Sequence, residues 1–175
     1  MKNETSALGF HSPWSLKPST PKHHSDAMVA AHGASLSPVR HVLLATDVEW
    51  IFDEVAAAIA GNGTVVSRVR TGADVIPAMA ELEPDLVMLD MQTGTKGGVA
   101  TCMDVRADQE AERLPASRIM LLLDRDADRW LARQAGADGW MIKPIDAMRL
   151  RRACTAMTNG EPWFEGQTHN VVADA

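Results

Sequence analysis

Asp85-Leu86-Val87-Met88-Leu89-Asp90 is the stretch on which the fold turns. Its four consecutive apolar residues, bounded by acid on both sides, are too few for a helix and show no wet-dry alternation. Such a run reads as a strand buried on both faces. Pro84 ends the helix before it, and the glycine-rich Thr93-Gly94-Thr95-Lys96-Gly97-Gly98 follows.

Working outward, the same grammar repeats. Upstream, residues 72–83 read as a helix, and residues 64–69 as a β-branched strand. Trp50, Ile51, Val55 and Ile59 recur at helical spacing until Gly61-Asn62-Gly63 stops them. His41-Val42-Leu43-Leu44-Ala45 is a first strand, punctuated by Thr46-Asp47. Downstream come a helix over residues 99–112, a strand over 118–123 and a helix over 126–135 that stops at Gly136. A short strand over 139–142 and a helix over 146–157 complete the series. Five strands alternating with five helices predict an α/β fold: a doubly wound five-stranded parallel sheet with helices on both faces. The expected strand order is the flavodoxin-like 2-1-3-4-5.

The bulk numbers narrow the function classes. Of 175 residues, 46% are hydrophobic, enough for a real core. The net charge of -6 disfavours nucleic-acid binding, which needs clustered Lys and Arg. Cys102 and Cys154 sit in no paired motif, which points to a reducing compartment. No apolar run is long enough for a bilayer, and Asn3, Glu4, Thr5 and Ser6 behind Lys2 do not make a secretory signal. The expectation is a cytoplasmic protein without membrane association. Residues 1–38, with Pro13, Pro18, Pro21 and Pro38, read as a disordered extension, and His11, His23, His24 and His32 within it as polar filler rather than a metal site. Residues 39–158 are the folded unit, and 159–175 a tail too short for a second domain or an output module.

Ligands of open parallel sheets bind outside the carboxyl ends of the strands, where strand order reverses. Asp47 follows the first strand, Asp90 ends the third, and Lys143 follows the fifth, just before Pro144. Two carboxylates there suit Mg²⁺, a hard ion that takes oxygen ligands, and a lysine suits a phosphoryl oxygen. Each residue has an ordinary reading as well: Asp47 as a cap for a helix starting near Glu49, Asp90 as a solvent-facing strand end, Lys143 as a surface lysine. Their arrival at one edge from three strands is what gives the functional reading weight.

The strand 85–90, the strand-end Asp47, the Gly136-Ala137-Asp138 turn and Trp140-Met141-Ile142-Lys143-Pro144 together resemble the receiver domain of bacterial two-component response regulators. The resemblance covers about residues 40–158 without interruption. It implies a single-domain, CheY-like signalling phosphoprotein rather than an enzyme, in which Asp90 accepts a phosphoryl group from a histidine kinase or another phosphodonor. It further implies Asp47 and Asp90 as Mg²⁺ ligands together with the backbone carbonyl of Gln92, and Lys143 as a phosphoryl contact whose bond to Pro144 is often cis. Signalling would pass to a downstream protein partner, with a possible homodimer through the face of the fourth helix, fifth strand and fifth helix. Arg129, Arg133, Asp138 and Arg149 could lie there.

Two departures stand out. Thr46 replaces the first of two acidic residues usual after the first strand, so Mg²⁺ should bind weakly. The Ser or Thr usual on the fourth strand has no counterpart in Ile119-Met120-Leu121-Leu122-Leu123. Counting back from Lys143 places Leu121 at that position, with Leu122 the alternative, and Trp140 stands where Tyr or Phe is usual. The ordinary hydroxyl–aromatic switch therefore cannot operate. What remains is weak phosphorylation with an unconventional output, or an atypical pseudo-receiver that binds a partner without phosphorylation.

Other signals are weaker. The lysine among glycines at 94–98 lacks phosphate-loop spacing. Asp124, Asp126 and Asp128 read as charges at a helix N-terminus, and Met79, Met103, Met120 and Met157 as core. A flavodoxin-like nucleotide or flavin binder would need a phosphate cradle after the first strand, where Thr46-Asp47-Val48-Glu49 supplies acid.

Overall fold

The structure is a computed structural model and describes residues 40–61 and 63–166. The expected extension over 1–38, with its histidines, lies outside them, as do residues 167–175. Within them, β1 (Arg40–Ala45), α1 (Glu49–Ile59), β2 (Thr64–Val69), α2 (Val75–Leu82), β3 (Leu86–Asp90), α3 (Gly97–Glu110), β4 (Arg118–Leu123), α4 (Arg129–Gln134), β5 (Gly139–Ile142) and α5 (Ala147–Thr158) alternate as the sequence implied. Short 3₁₀ turns at Gly72–Asp74 and Asp126–Asp128 lead into α2 and α4.

The strands form one parallel sheet in the order β2-β1-β3-β4-β5, extended by a sixth strand, β6 (Trp163–Phe164), beyond β5. Alternation along the strands sorts the core into two layers. Val42, Leu44, Leu86, Met88, Met120, Leu122 and Met141 face α1 and α5. Leu43, Ala45, Val87, Leu89, Ile119, Leu121, Leu123 and Trp140 face α2, α3 and α4. Every residue of β3 is buried, as a central strand with helices on both sides must be.

Two expectations are corrected here. The segment after α5 is not merely a tail, because residues 163–164 pair with Gly139 and Trp140. Gly139 permits this: a Cβ there would stand 2.5 Å from the Trp163 carbonyl oxygen. Phe164 lies against Trp140 with ring centroids 4.5 Å apart, a contact worth about 1 kcal/mol beyond its burial. Met103, expected in the core, is 55% exposed. The inward face of α3 is set by Gly98, Thr101, Cys102 and Val105, and Met103 falls outside that stripe. The other three methionines are fully buried.

Both cysteines are buried and free. Burial pushes the Cys102 thiol up to about 11 and the Cys154 thiol to about 12, so neither is a reactive thiolate.

Candidate functional site

Ala45 of β1 is in register with Leu89 of β3, so Thr46-Asp47 and Asp90 leave neighbouring strands at one edge. Asp90 has no solvent exposure, contrary to its reading as a solvent-facing strand end. Its main chain is anchored first. The Thr93 hydroxyl is shared between the carbonyls of Ala45 and Asp90, at 2.8 Å from each. The Met91 amide donates to the Leu122 carbonyl at 3.0 Å. Gly98, at the start of α3, lets the helix rest directly on the Asp90 carbonyl, where a Cβ would come within 2.5 Å. That contact starts α3 two residues earlier than the apolar pattern alone indicated.

A buried carboxylate must be bonded throughout, since desolvating it unpaired costs several kcal/mol. The Asp90 side chain meets this condition. Oδ2 accepts from the Thr46 hydroxyl at 2.9 Å. Oδ1 accepts from Lys143 Nζ at 2.5 Å and from the Gln92 amide at 3.2 Å. Thr46 thus supplies a neutral donor where a second acid would have repelled Asp90. Its hydroxyl also accepts from the Val48 amide at 3.2 Å.

Lys143 reaches this edge because its own amide donates to the Leu123 carbonyl at 2.8 Å, continuing the β4–β5 ladder one residue past β5. The peptide bond to Pro144 is cis. Its ammonium also donates to Asp124 Oδ1 at 2.8 Å. Burial opposes the charge on Lys143, but the hydrogen bonds it donates to Asp124 and Asp90 outweigh it and raise the lysine above its usual value of 10.5. A raised lysine stabilises the fold fully below its unfolded value, and that contribution disappears as pH climbs through the folded one. In urea titrations, the stability advantage of the native protein over Lys143→Met should therefore hold at pH 7–10 and shrink above about 10.5. An advantage constant through that alkaline range would disprove the pairing.

The remaining residues fall as follows. Asp47 is exposed and does not cap α1, whose N-cap is Val48 without a side-chain bond. In chemistry the Asp47 and Asp90 carboxylates and the Gln92 carbonyl are oxygen donors of the kind Mg²⁺ would take, one carboxylate fewer than a second acid at Thr46 would give. No group of three or more His, Cys, Asp or Glu side chains among the described residues is placed to hold a metal.

Leu121 pairs with Trp140, whereas Leu122 is level with Asp90 and Leu123 with Ile142. The Leu123 carbonyl takes the Lys143 amide one residue past that last pair, and Leu123 lies on the same face of the sheet as Leu121. All three leucines are fully buried. Trp140 is held in place: its indole N–H donates to the Glu165 carbonyl at 3.1 Å, and the Arg133 guanidinium lies 5.8 Å from its ring centroid.

Asp124 and Glu165 were missed in the sequence. Asp124 is not a helix-terminal charge, unlike Asp126 and Asp128 of the following 3₁₀ turn. It is the first residue past β4, and the strand-end rule that found Asp47 and Asp90 applies to it equally. Glu165 accepts from the Ile142 amide at 2.8 Å and pairs with Arg149. Nothing in the surrounding sequence signals that role.

A doubly wound sheet whose carboxyl edge gathers a buried aspartate and a lysine defines the class. A model of the response regulator receiver domain matches residues 42–155, and the chain belongs to that family. It is 28% identical over 112 residues to the DNA-binding response regulator MtrA of Mycolicibacterium smegmatis, covering 63% of this chain and 47% of MtrA. It thus spans about half the length of the curated relatives it matches. Among solved structures, the BeF3-activated N-terminal receiver domain of Klebsiella pneumoniae RstA is 25% identical with a TM-score of 0.58, covering 67% of this chain and 98% of that one. The signal receiver domain of the putative response regulator NarL from Mycobacterium tuberculosis shares the fold at 23% identity and a TM-score of 0.62, covering 70% and 98%. No helix among the described residues is long and apolar enough to cross a membrane.

Proposed function

We propose that this chain accepts a phosphoryl group on Asp90 and signals through contacts with another protein. An Asp90 carboxylate oxygen attacks phosphorus of the donor, a histidine kinase or a small acyl phosphate. The bond from phosphorus to the donor breaks, its electron pair leaves with the donor, and an aspartyl phosphate results. The observation that carries this reading is the Lys143 ammonium at 2.5 Å from Asp90, a cation already in place for the incoming oxygens. Asp47, Asp90 and the Gln92 carbonyl would hold Mg²⁺, which supplies charge neutralisation when bound. A histidine-kinase partner goes with a cytoplasmic setting.

Readout differs from the hydroxyl–aromatic couple, because β4 ends in leucines and Trp140 is tied to Glu165. The outer edge of β5 is already paired with β6, so a partner or second copy on that side would meet α4, α5 and β6 rather than a bare strand.

The test is incubation with phosphoramidate and Mg²⁺, followed by intact mass measurement. We expect a one-phosphoryl adduct that Asp90→Asn abolishes. No adduct, or one that survives Asp90→Asn, overturns the reading. The second reading, a phosphorylation-independent pseudo-receiver, then takes its place. It is favoured by the full set of hydrogen bonds already made by the Asp90 carboxylate.

A further inference from the structure

The Lys143 ammonium is divided between two carboxylates. It donates to Asp90 at 2.5 Å and to Asp124 at 2.8 Å, so both oxygens stand within reach of one nitrogen. The contact is sheltered: the side chains of Lys143, Asp90 and Asp124 are 15%, 1% and 26% exposed. Asp124 follows Leu123 directly, at the mouth of the edge where no β4 hydroxyl stands.

A hydroxyl can donate a hydrogen bond to a phosphoryl oxygen, whereas an ionised carboxylate can only accept. A phosphoryl group brings roughly two negative charges at neutral pH. Asp124 would therefore act against phosphorylated Asp90 in two ways: it competes for Lys143, and its charge repels the new oxygens from the other side of the shared ammonium. The acid absent at Thr46 and the acid present at Asp124 are not equivalent. The first position meets Asp90 Oδ2 directly, whereas the second meets the lysine that bonds Oδ1.

We propose that Asp124 is a positioning residue that shares the Lys143 ammonium with Asp90 and thereby keeps the level of phosphoryl-Asp90 low. This deepens the reading of Asp90 as phosphoacceptor and rests on it. Loss of the phosphoryl group, on the same proposal, is attack by water on phosphorus. The bond from phosphorus to the Asp90 oxygen breaks, its electron pair returns to the carboxylate, and inorganic phosphate departs. Asp124 takes no bond-making part in this step. It destabilises the phosphorylated state from which the step begins.

The experiment treats the full chain and its Asp124→Asn, Asp124→Glu and Asp90→Asn variants with phosphoramidate and Mg²⁺. It follows the phosphorylated fraction by intact mass, and its decay after the donor is removed. Asp124→Asn should raise the fraction reached at low donor, or lengthen the lifetime, on the order of tenfold. Asp124→Glu should return it toward the native level, and Asp90→Asn should give no adduct. In metal-free buffer, the ¹⁵Nζ–H signal of Lys143 should exchange with solvent faster in Asp124→Asn than in the native protein. If Asp124→Asn melts early, Asp124→Ala is measured in its place.

Native protein that labels while the neutral variants label no more, and decay no more slowly, overturns the role of Asp124 and leaves Asp90 as acceptor. If native and neutral variants alike stay unlabelled at saturating donor, the reading of Asp90 falls and this inference falls with it.

Discussion

Gly98→Ala is expected to destabilise the domain by about 3 kcal/mol and to displace Asp90. The added methyl would stand 2.5 Å from the Asp90 carbonyl oxygen, 3.0 Å from its carbonyl carbon and 3.2 Å from Leu121 Cδ2. The first two are main-chain atoms of the central strand, gripped by β1 and β4 on either side, so they cannot yield as a flexible side chain would. Instead α3 must withdraw, weakening the bonds from the Gly97 and Gly98 amides to the Thr93 and Met91 carbonyls, both 3.0 Å. Alanine gains about 1 kcal/mol over glycine in a helix interior, but that preference is weaker at the first turn and smaller than the clash. Urea unfolding gives the stability, and phosphoramidate labelling should fall with it. A loss below about 0.5 kcal/mol would show that α3 can slide without cost, and the close approach would carry no weight.

Asp138→Ala should cost a similar amount, about 3 kcal/mol, for a different reason. Asp138 Oδ2 accepts from the Ile119 amide at 2.7 Å and from Arg106 at 2.5 Å, while Oδ1 accepts from Arg118 at 3.1 Å. Its own amide donates back to the Ile119 carbonyl at 2.9 Å, so one residue brackets the start of β4 from both directions. Alanine would strand the Ile119 amide and leave two guanidinium groups without their shared anion. Asp138→Asn keeps one carbonyl oxygen for Ile119 and should lose about half as much. The order alanine worse than asparagine is the decisive outcome, read from chemical denaturation. Equal losses would mean that the charge matters and the amide bond does not.

Asp138 also bears on how much of the molecule could be read from the chain. It was recognisable within Gly136-Ala137-Asp138, yet as a candidate for an outer partner face. In the structure it faces inward, to Arg106 and Arg118. Arg149 turns toward Glu165, whereas Arg133 lies over Trp140 and is still exposed. Charge alone does not reveal whether a side chain looks outward, because a half-buried arginine and a solvated one have the same neighbours in sequence. β6 escaped for another reason. Two residues cannot display a period, and Trp163-Phe164 becomes a strand through Gly139, twenty-four positions earlier, which leaves room for its main chain. Counting residues places the missing hydroxyl at Leu121, with Leu122 the alternative, and pairing sets the first level with Trp140 and the second level with Asp90. A count assumes a loop length, and strand pairing does not.

What the chain specified unaided was the alternation of buried strands and helices, and with it the parallel order and the edge at which Asp47, Asp90 and Lys143 emerge. Those follow from short-range patterns, since apolar runs, glycine stops and strand-end charges are each written within a few residues. Tertiary structure alone decided which donor meets which acceptor: Thr46 on one Asp90 oxygen, Lys143 on the other, and Asp124 sharing that lysine. A hydrogen bond is made or lost over a few tenths of an ångström. Distances of that order between residues dozens of positions apart exist only once the two packed layers have set the height of every strand end.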